Sequence, residues 1–152
     1  FAHTADVGEG IIAEPIWRDP LVIAVPARHE LLAHKEVPLH ELDGHPLVLC
    51  DPRVCEGYCR VLARLLGPLE HRQNVVERAT SLEMMLTLVG AGYGVGFMAA
   101  SKVPVSQRPD VVVRPLAVES AVITTYLLRS DSGDVTASLE RFIFRLREGL
   151  GT

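Results

Sequence analysis

The chain has 152 residues, 48% of them apolar, with 15 Lys and Arg set against 19 Asp and Glu for a formal charge of −4. That length and apolar share suit one or two small packed domains and exclude a disordered chain. The acidic balance gives no electrostatic footprint for nucleic acid, and no apolar run approaches a membrane span, so no membrane partner is expected.

Phe1-Ala2-His3-Thr4 has no initiator methionine and no basic or apolar leader block. The start is read as that of a fragment whose preceding segment is missing. Ile11 to Trp17 reads as an extended edge segment containing Pro15. Arg18-Asp19-Pro20 reads as a turn, and Leu21-Val22-Ile23-Ala24-Val25 as a strand buried on both faces. A short helix is expected from Pro38 to Leu42, where Pro38 suits a first turn. Pro46 to Cys50 reads as the next strand, Asp51 to Gly57 as a loop, and Tyr58 to Leu66 as a helix stopped by Gly67-Pro68. Tyr58, Val61, Leu62 and Leu65 share one side of that helix. Asn74 to Glu77 reads as a short strand.

Arg78 to Phe97 is the most informative stretch. Thr80 and Glu83 have the T-x-x-E spacing of a capping box, and Leu82, Met85, Leu86 and Val89 fall on one helical face. Gly90 and Gly92 supply the exit, and Gly94-Val95-Gly96-Phe97-Met98 follows as a buried strand. Ser101 to Gln107 is a turn or short helix. Val111 to Val113 and Ala121 to Leu128 are strands. Asp131, Ser132 or Asp134 is placed to cap a last helix bearing Val135, Leu139, Phe142, Ile143, Leu146 and Leu150 on one face, with Arg141, Arg145 and Glu148 outward. Strands alternate with helices from Pro46 to Phe97, an order that calls for an α/β fold with a parallel sheet. Ligands of such sheets sit at the carboxyl ends of strands, near helix starts.

Cys50, Cys55 and Cys59 are an odd, closely spaced set. They make a poor disulfide framework and point to a reducing compartment, hence the cytoplasm. Zinc ligands come as tighter pairs with a second pair elsewhere, so no metal site is expected. Arg53 and the following helix start are placed to activate Cys55 as a redox sensor. His3, His29, His34, His40, His45 and His71 are scattered, read as solvated loop residues, and complete no catalytic motif. The chain is therefore read as no enzyme, a hydrolase built on Cys55 being the weaker alternative. Gly92-Tyr93-Gly94-Val95-Gly96 closes a helix and opens a strand, the reverse of a dinucleotide fingerprint, and no cofactor is implied. Arg53 can pair with a carboxylate. The Thr80-Ser81 helix start can receive an anion.

Four stretches together resemble the effector-binding domain of LysR-type transcriptional regulators. They are Glu14 to His29, with a strand before Pro26-Ala27-Arg28-His29; Val37 to Leu49; Leu88 to Phe97; and Val111-Val112-Val113-Arg114-Pro115-Leu116. Glu30 departs from the family's usual proline, as does Ala99 or Ala100, while Ser101 matches the serine that often follows. The resemblance implies two Rossmann-like subdomains of the periplasmic-binding-protein type joined by two crossover strands. The first would be incomplete (residues 1–25 and 117–152), and 26–116 would hold the crossovers and the second. The crossings are expected near Pro26-Ala27 and Pro115-Leu116.

The function implied is sensing of a small effector, a carboxylate by expectation, in a DNA-binding regulator whose DNA contacts lie in a missing N-terminal domain. The expected ligand-binding residues are His3, Thr4, Arg53, Val54, Cys55, Thr80, Ser81, Phe97 and Met98. A dimer, with a tetramer possible in the full-length protein, is the expected assembly. The helix from Tyr58 to Leu66 is the candidate contact, although its apolar stripe suits a core equally. An extracytoplasmic solute-binding protein of similar fold is the alternative.

Overall fold

The computed structural model describes residues 1–67, 74–133 and 136–148. The expectations at Pro68, His71, Asp134, Val135 and Leu150, and that for the Glu148 side chain, lie outside the described residues. In chain order the elements are β1 (Ile11–Pro26), β2 (Pro46–Cys50), α1 (Glu56–Leu66), β3 (Asn74–Ala79), α2 (Leu82–Gly90), β4 (Val95–Ala99), β5 (Val111–Pro115), β6 (Val122–Ser130) and α3 (Ala137–Glu148). Short 3-10 turns at Glu30–Ala33, Leu39–Leu42 and Ala100–Val105 punctuate them. The chain divides into two compact units, Phe1–Arg18 with Thr124–Thr152, and Asp19–Ile123. The breaks fall inside β1 and β6, whereas the sequence placed crossings near Pro26-Ala27 and Pro115-Leu116.

The larger unit is built on a sheet of order β3-β2-β4-β1-β5, and β6 also pairs with β1. The expected parallel set is present: β2 runs parallel to both β3 and β4. β1 runs antiparallel to β4 and β5, which makes the whole sheet mixed. Leu21 to Val25 is almost wholly buried, as its unbroken aliphatic run requires. Alternation along each strand then sorts the helices. Leu21, Ile23, Leu47, Leu49, Val95 and Phe97 pack in one cluster with Leu62, Leu65 and Leu66 of α1. Val22, Ala24, Val48 and Met98 pack in the other with Met85, Leu86 and Val89 of α2. The two helices thus cover opposite faces, since successive strand residues point opposite ways. Each Val, Leu, Ile, Phe or Met side chain so removed from water contributes about 1.5–3 kcal/mol.

Several local expectations are corrected. Arg18-Asp19-Pro20 is not a turn, and β1 runs unbroken through it. Pro15 and Pro20 precede the register with β4 and β5, which opens at Leu21 and Val22, so their missing N–H groups cost those ladders nothing. α1 starts earlier than expected, at Glu56, and its apolar side is core. The cap of α2 is Ser81, whose Oγ accepts the Met84 N–H at 3.1 Å; Thr80 lies one residue outside, and the T-x-x-E box does not form. The exit of α2 is as expected. Tyr93 N–H reaches Leu88 O and Gly92 N–H reaches Val89 O, with Gly92 at φ +82°. This is the paired bonding of a Schellman motif, which needs a residue that tolerates positive φ.

In the smaller unit the Phe1 ring lies 5.4 Å from that of Trp17 and 6.5 Å from that of Phe142. Ile143 is buried, whereas Leu139 and Phe142, expected on the same apolar face, are exposed. Thr136 caps α3, its Oγ1 accepting the Leu139 N–H. Ser132, one of the expected caps, instead bonds Ser130, and the backbone N–H of Asp131 goes to Gly10 O.

Candidate functional site

β2 and β3 are parallel neighbours, and their carboxyl ends are level: Cys50 pairs with Ala79, and Asp51 N–H donates to Ala79 O at 2.9 Å. The two chain segments that leave these ends are therefore side by side. One is Asp51 to Cys55, leading into α1. The other is Thr80-Ser81, leading into α2. Both carry residues expected at a ligand site.

Asp51 organises the first segment. Its carboxylate is buried and accepts the Arg53 backbone N–H at 2.9 Å and Arg53 Nε at 3.1 Å. Arg53 Nη2 completes the fork at 2.5 Å. These bonds, from the Arg53 side chain first and its backbone second, hold the Asp51 carboxyl down at about 2. The Asp51 carbonyl also accepts the N–H groups of Val54 and Cys55. Arg53 is thus already paired within its own loop, although its side chain remains 88% exposed. Val54 is exposed, and Cys55 caps α1 without a side-chain cap bond. The guanidinium expected to activate Cys55 is committed to Asp51.

In the second segment Thr80 and Ser81 are both exposed. Ser81 Oγ accepts from Met84 and keeps its own O–H to donate. The first-turn N–H groups have no acceptor inside the helix. Between the two segments lies Arg78, whose Nη1 donates to Cys50 O at 3.3 Å and whose charge also favours ionised Asp51. Sequence reasoning missed Arg78 and Asp51. The signal for Arg78 was its place just before the Thr80-Ser81 helix start, and for Asp51 its place directly after a buried strand.

Phe97 and Met98 are corrected. They are 4% and 3% exposed and pack in the two opposite core clusters, so they support the sheet and present no surface to a ligand. His3 and Thr4 belong to the smaller unit. There His3 Nδ1 lies 3.4 Å from Thr125 Oγ1, and Thr4 Oγ1 accepts the Asp6 N–H.

The histidines are less scattered than the sequence implied. His34 and His40 approach Glu41 at 3.8 and 3.5 Å, and His45 approaches Glu30 at 3.6 Å. The His29 ring lies 5.1 Å from that of His45, and burial together with that neighbour depresses the His29 pKa. Among the described residues no group of three or more His, Cys, Asp or Glu side chains is arranged to hold a metal ion. No described helix is long and apolar enough to cross a membrane.

Such a sheet, with a polar rim where two parallel strands end beside two helix starts, has the form of a small-molecule-binding α/β domain. The chain belongs to the LysR substrate binding domain family, which it matches over residues 1–151. It is 28% identical over 141 residues to the Hca operon transcriptional activator HcaR of Escherichia coli, covering 90% of this chain and 46% of that protein. The chain thus spans less than half the length of that curated relative. Among solved structures, the effector binding domain of QuiR in complex with shikimate superposes with a TM-score of 0.80 at 15% identity, covering 97% of this chain and 68% of that one. The BenM effector binding domain with its effector benzoate gives 0.78 at 20% identity, covering 96% and 68%. These likenesses show the periplasmic-binding-protein-like fold and bear out the resemblance read from the sequence. The solute-binding alternative gives way to the family match.

Proposed function

We propose that this chain is the effector-sensing part of a LysR-type transcriptional regulator and that its effector is a small carboxylate held at the joined ends of β2 and β3. One observation carries the reading: Arg78, the Ser81 helix start and the Arg53–Asp51 loop gather on one rim. Arg78 supplies the positive charge, because Arg53 is balanced by Asp51. Ser81 O–H and the first-turn N–H groups supply directed donors, and the helix N-terminus adds favourable potential for an anion. Arg53, Val54, Cys55 and Thr80 border the same rim. Shikimate and benzoate, named with the QuiR and BenM domains, are both small carboxylates, which agrees with this chemistry.

In this reading the chain turns over no substrate and works in the cytoplasm as a dimer, or a tetramer in the full-length protein. It contacts DNA only through a part of the regulator outside these residues. The effector acts by binding one arrangement of the regulator more tightly than another.

The test is calorimetric titration with a panel of small carboxylates that includes benzoate and shikimate. Arg78→Ala should weaken binding about tenfold or more, on the scale of one charge-assisted hydrogen bond. Ser81→Ala should weaken it about fivefold, the scale of a neutral one. A carboxylate that binds the native chain with affinity indifferent to both substitutions moves the site elsewhere. A panel in which only uncharged analogues bind overturns the ligand class.

A further inference from the structure

Asp51 puts a negative charge at the rim proposed to hold an anion, and its bonds show what that charge does there. It is 5% exposed and follows directly on the end of β2, where its N–H donates to Ala79 O. Its Oδ1 accepts the Arg53 backbone N–H at 2.9 Å. Arg53 Nε lies 3.1 Å from each carboxylate oxygen, and Nη2 lies 2.5 Å from Oδ2. These bonds hold the carboxyl at about 2, so it stays ionised through the neutral and mildly acidic range.

Shaping the turn needs less than this. An asparagine or serine at the same place can accept a backbone N–H two residues on. What only a carboxylate supplies is a balancing charge for the guanidinium, in fork geometry. Arg53 itself is 88% exposed, and its Nη1 has no hydrogen-bond partner among the described residues. Water solvates such a guanidinium without help from an ion pair. The pairing therefore sets the charge of the rim.

Arg78 is in the opposite state. It pairs with Leu49 across the sheet, and its Nη1 reaches a backbone carbonyl, Cys50 O, at 3.3 Å. No carboxylate side chain pairs with its guanidinium among the described residues. Glu77 accepts the Arg78 backbone N–H and, one residue away on the strand, belongs to the other face of the sheet. Glu56, at the start of α1, is paired with Arg60. Of the three charged groups bonded at the joined strand ends, Arg53 and Asp51 cancel and Arg78 remains.

We infer that, within the effector site proposed above and resting on that reading, Asp51 is the specificity-determining residue: by holding Arg53 it leaves the rim one net positive charge, so that the site takes a monocarboxylate and rejects a dicarboxylate. The first carboxylate is matched by Arg78. A second finds Arg53 already forked to Asp51, so it loses water without gaining a cation and meets a like charge close by. A like charge at such a distance near a protein surface weakens binding about tenfold or more.

The experiment is calorimetric titration at pH 7 with two isosteric pairs that differ by one charge, succinamate against succinate and 4-carbamoylbenzoate against terephthalate. Ionic strength is held constant, because salt screens the effect. The native chain should prefer the monoanion of a pair about tenfold or more. Asp51→Asn keeps an acceptor for the Arg53 N–H and frees the guanidinium, so it should erase or reverse that preference. Arg53→Gln leaves Asp51 unbalanced and should widen it. The double variant restores the native charge count and should restore the native preference. The two single variants move the ratio in opposite directions, so either alone tests the inference if the other fails to fold, as urea melts will show. A damaged loop weakens both members of a pair together and leaves their ratio unchanged. A native chain without preference, or one ratio shared by native and variants, overturns the role of Asp51, while binding that still depends on Arg78 leaves the effector site standing. If neither pair binds the native chain, or if binding ignores Arg78→Ala, the effector site falls and this inference falls with it.

Discussion

Ser81 tests the local structure and the proposed site at once. Its Oγ is the acceptor for the Met84 N–H at 3.1 Å, and Met85 N–H bonds its carbonyl. Ser81→Ala removes the first bond and leaves an orphan donor in the first turn of α2, which typically costs about 1 kcal/mol. Ser81→Gly should cost only a few tenths of that. Thr80 lies outside the helix, its Oγ1 donating to Met84 Sδ at 3.8 Å, so Thr80→Ala should fall within about 0.5 kcal/mol of the native chain. α2 is nine residues long and buries Met85, Leu86 and Val89, so weakening its start loosens one face of the sheet. With an m-value of about 2 kcal/mol/M in urea, the Ser81→Ala midpoint should drop by ~0.5 M at unchanged m. The melting temperature should drop by about 2–4 °C. Ser81→Asp separates the two roles. It keeps a capping oxygen and favours the helix end, but it places a negative charge where the carboxylate would bind. Stability should hold while affinity for a carboxylate collapses. The reasoning is refuted if Thr80→Ala lowers the urea midpoint as much as Ser81→Ala does.

Three other outcomes follow from the packing and the charges. An alanine Cβ at Gly94 would run into the Pro46 carbonyl, whereas at Gly92 it would meet open space but a φ of +82°. Urea melts should therefore show Gly94→Ala losing more than the ~1–2 kcal/mol expected of Gly92→Ala. Ile23→Ala, at a fully buried position in the central strand, should cost about 2–5 kcal/mol, and Val76→Ala, exposed on β3, far less. Asp51 has its folded pKa lowered from 3.8 to about 2, so its contribution is fully present above about pH 4 and is lost as pH falls toward 2. Urea midpoints measured across that window should fall less steeply for Asp51→Asn than for the native chain, and an identical slope would deny Asp51 its bonded state.

The parts of the fold legible in the sequence were those where one physical signal acted alone. Leu21 to Val25 could only be a strand buried on both faces, and the Gly90-Ala91-Gly92 stop could only end a helix. The errors came where two signals competed. Pro15 and Pro20 argued locally for breaks, but ladder hydrogen bonds decide whether a proline breaks a strand. The pairings of β1 with β4 and β5 start beyond both prolines. Likewise Thr80 and Ser81 are both good caps, and the T-x-x-E spacing favoured the first. The Cys50–Ala79 register and the burial of Ala79 set where β3 ends, and only then is Ser81 left as the residue that opens the helix.

The candidate rim was legible in which chain segments meet there and illegible in their pairing, for one reason. Strand order and helix starts identify the rim, because a parallel βαβ unit delivers its loops to the carboxyl ends of strands. Which charges there are free depends on contacts two or more residues apart that no pattern encodes. Arg53 looked like the ligand's partner, yet Asp51 holds it through the side-chain fork and the backbone N–H. Arg78 looked like one more exposed strand residue, yet it reaches across to Cys50 O on the neighbouring strand. Phe97 and Met98 fail for the opposite reason: the run from Val95 to Met98 is so apolar that it belongs inside, and a strand buried on both faces has no side chain to spare for a ligand. An anion at this rim would meet Arg78 and the start of α2, with Arg53 free to turn outward only if Asp51 gives up its fork. Replacing Arg53 therefore disturbs the Asp51 loop before it disturbs any ligand, and Arg78 is the position where charge and binding can be separated from folding.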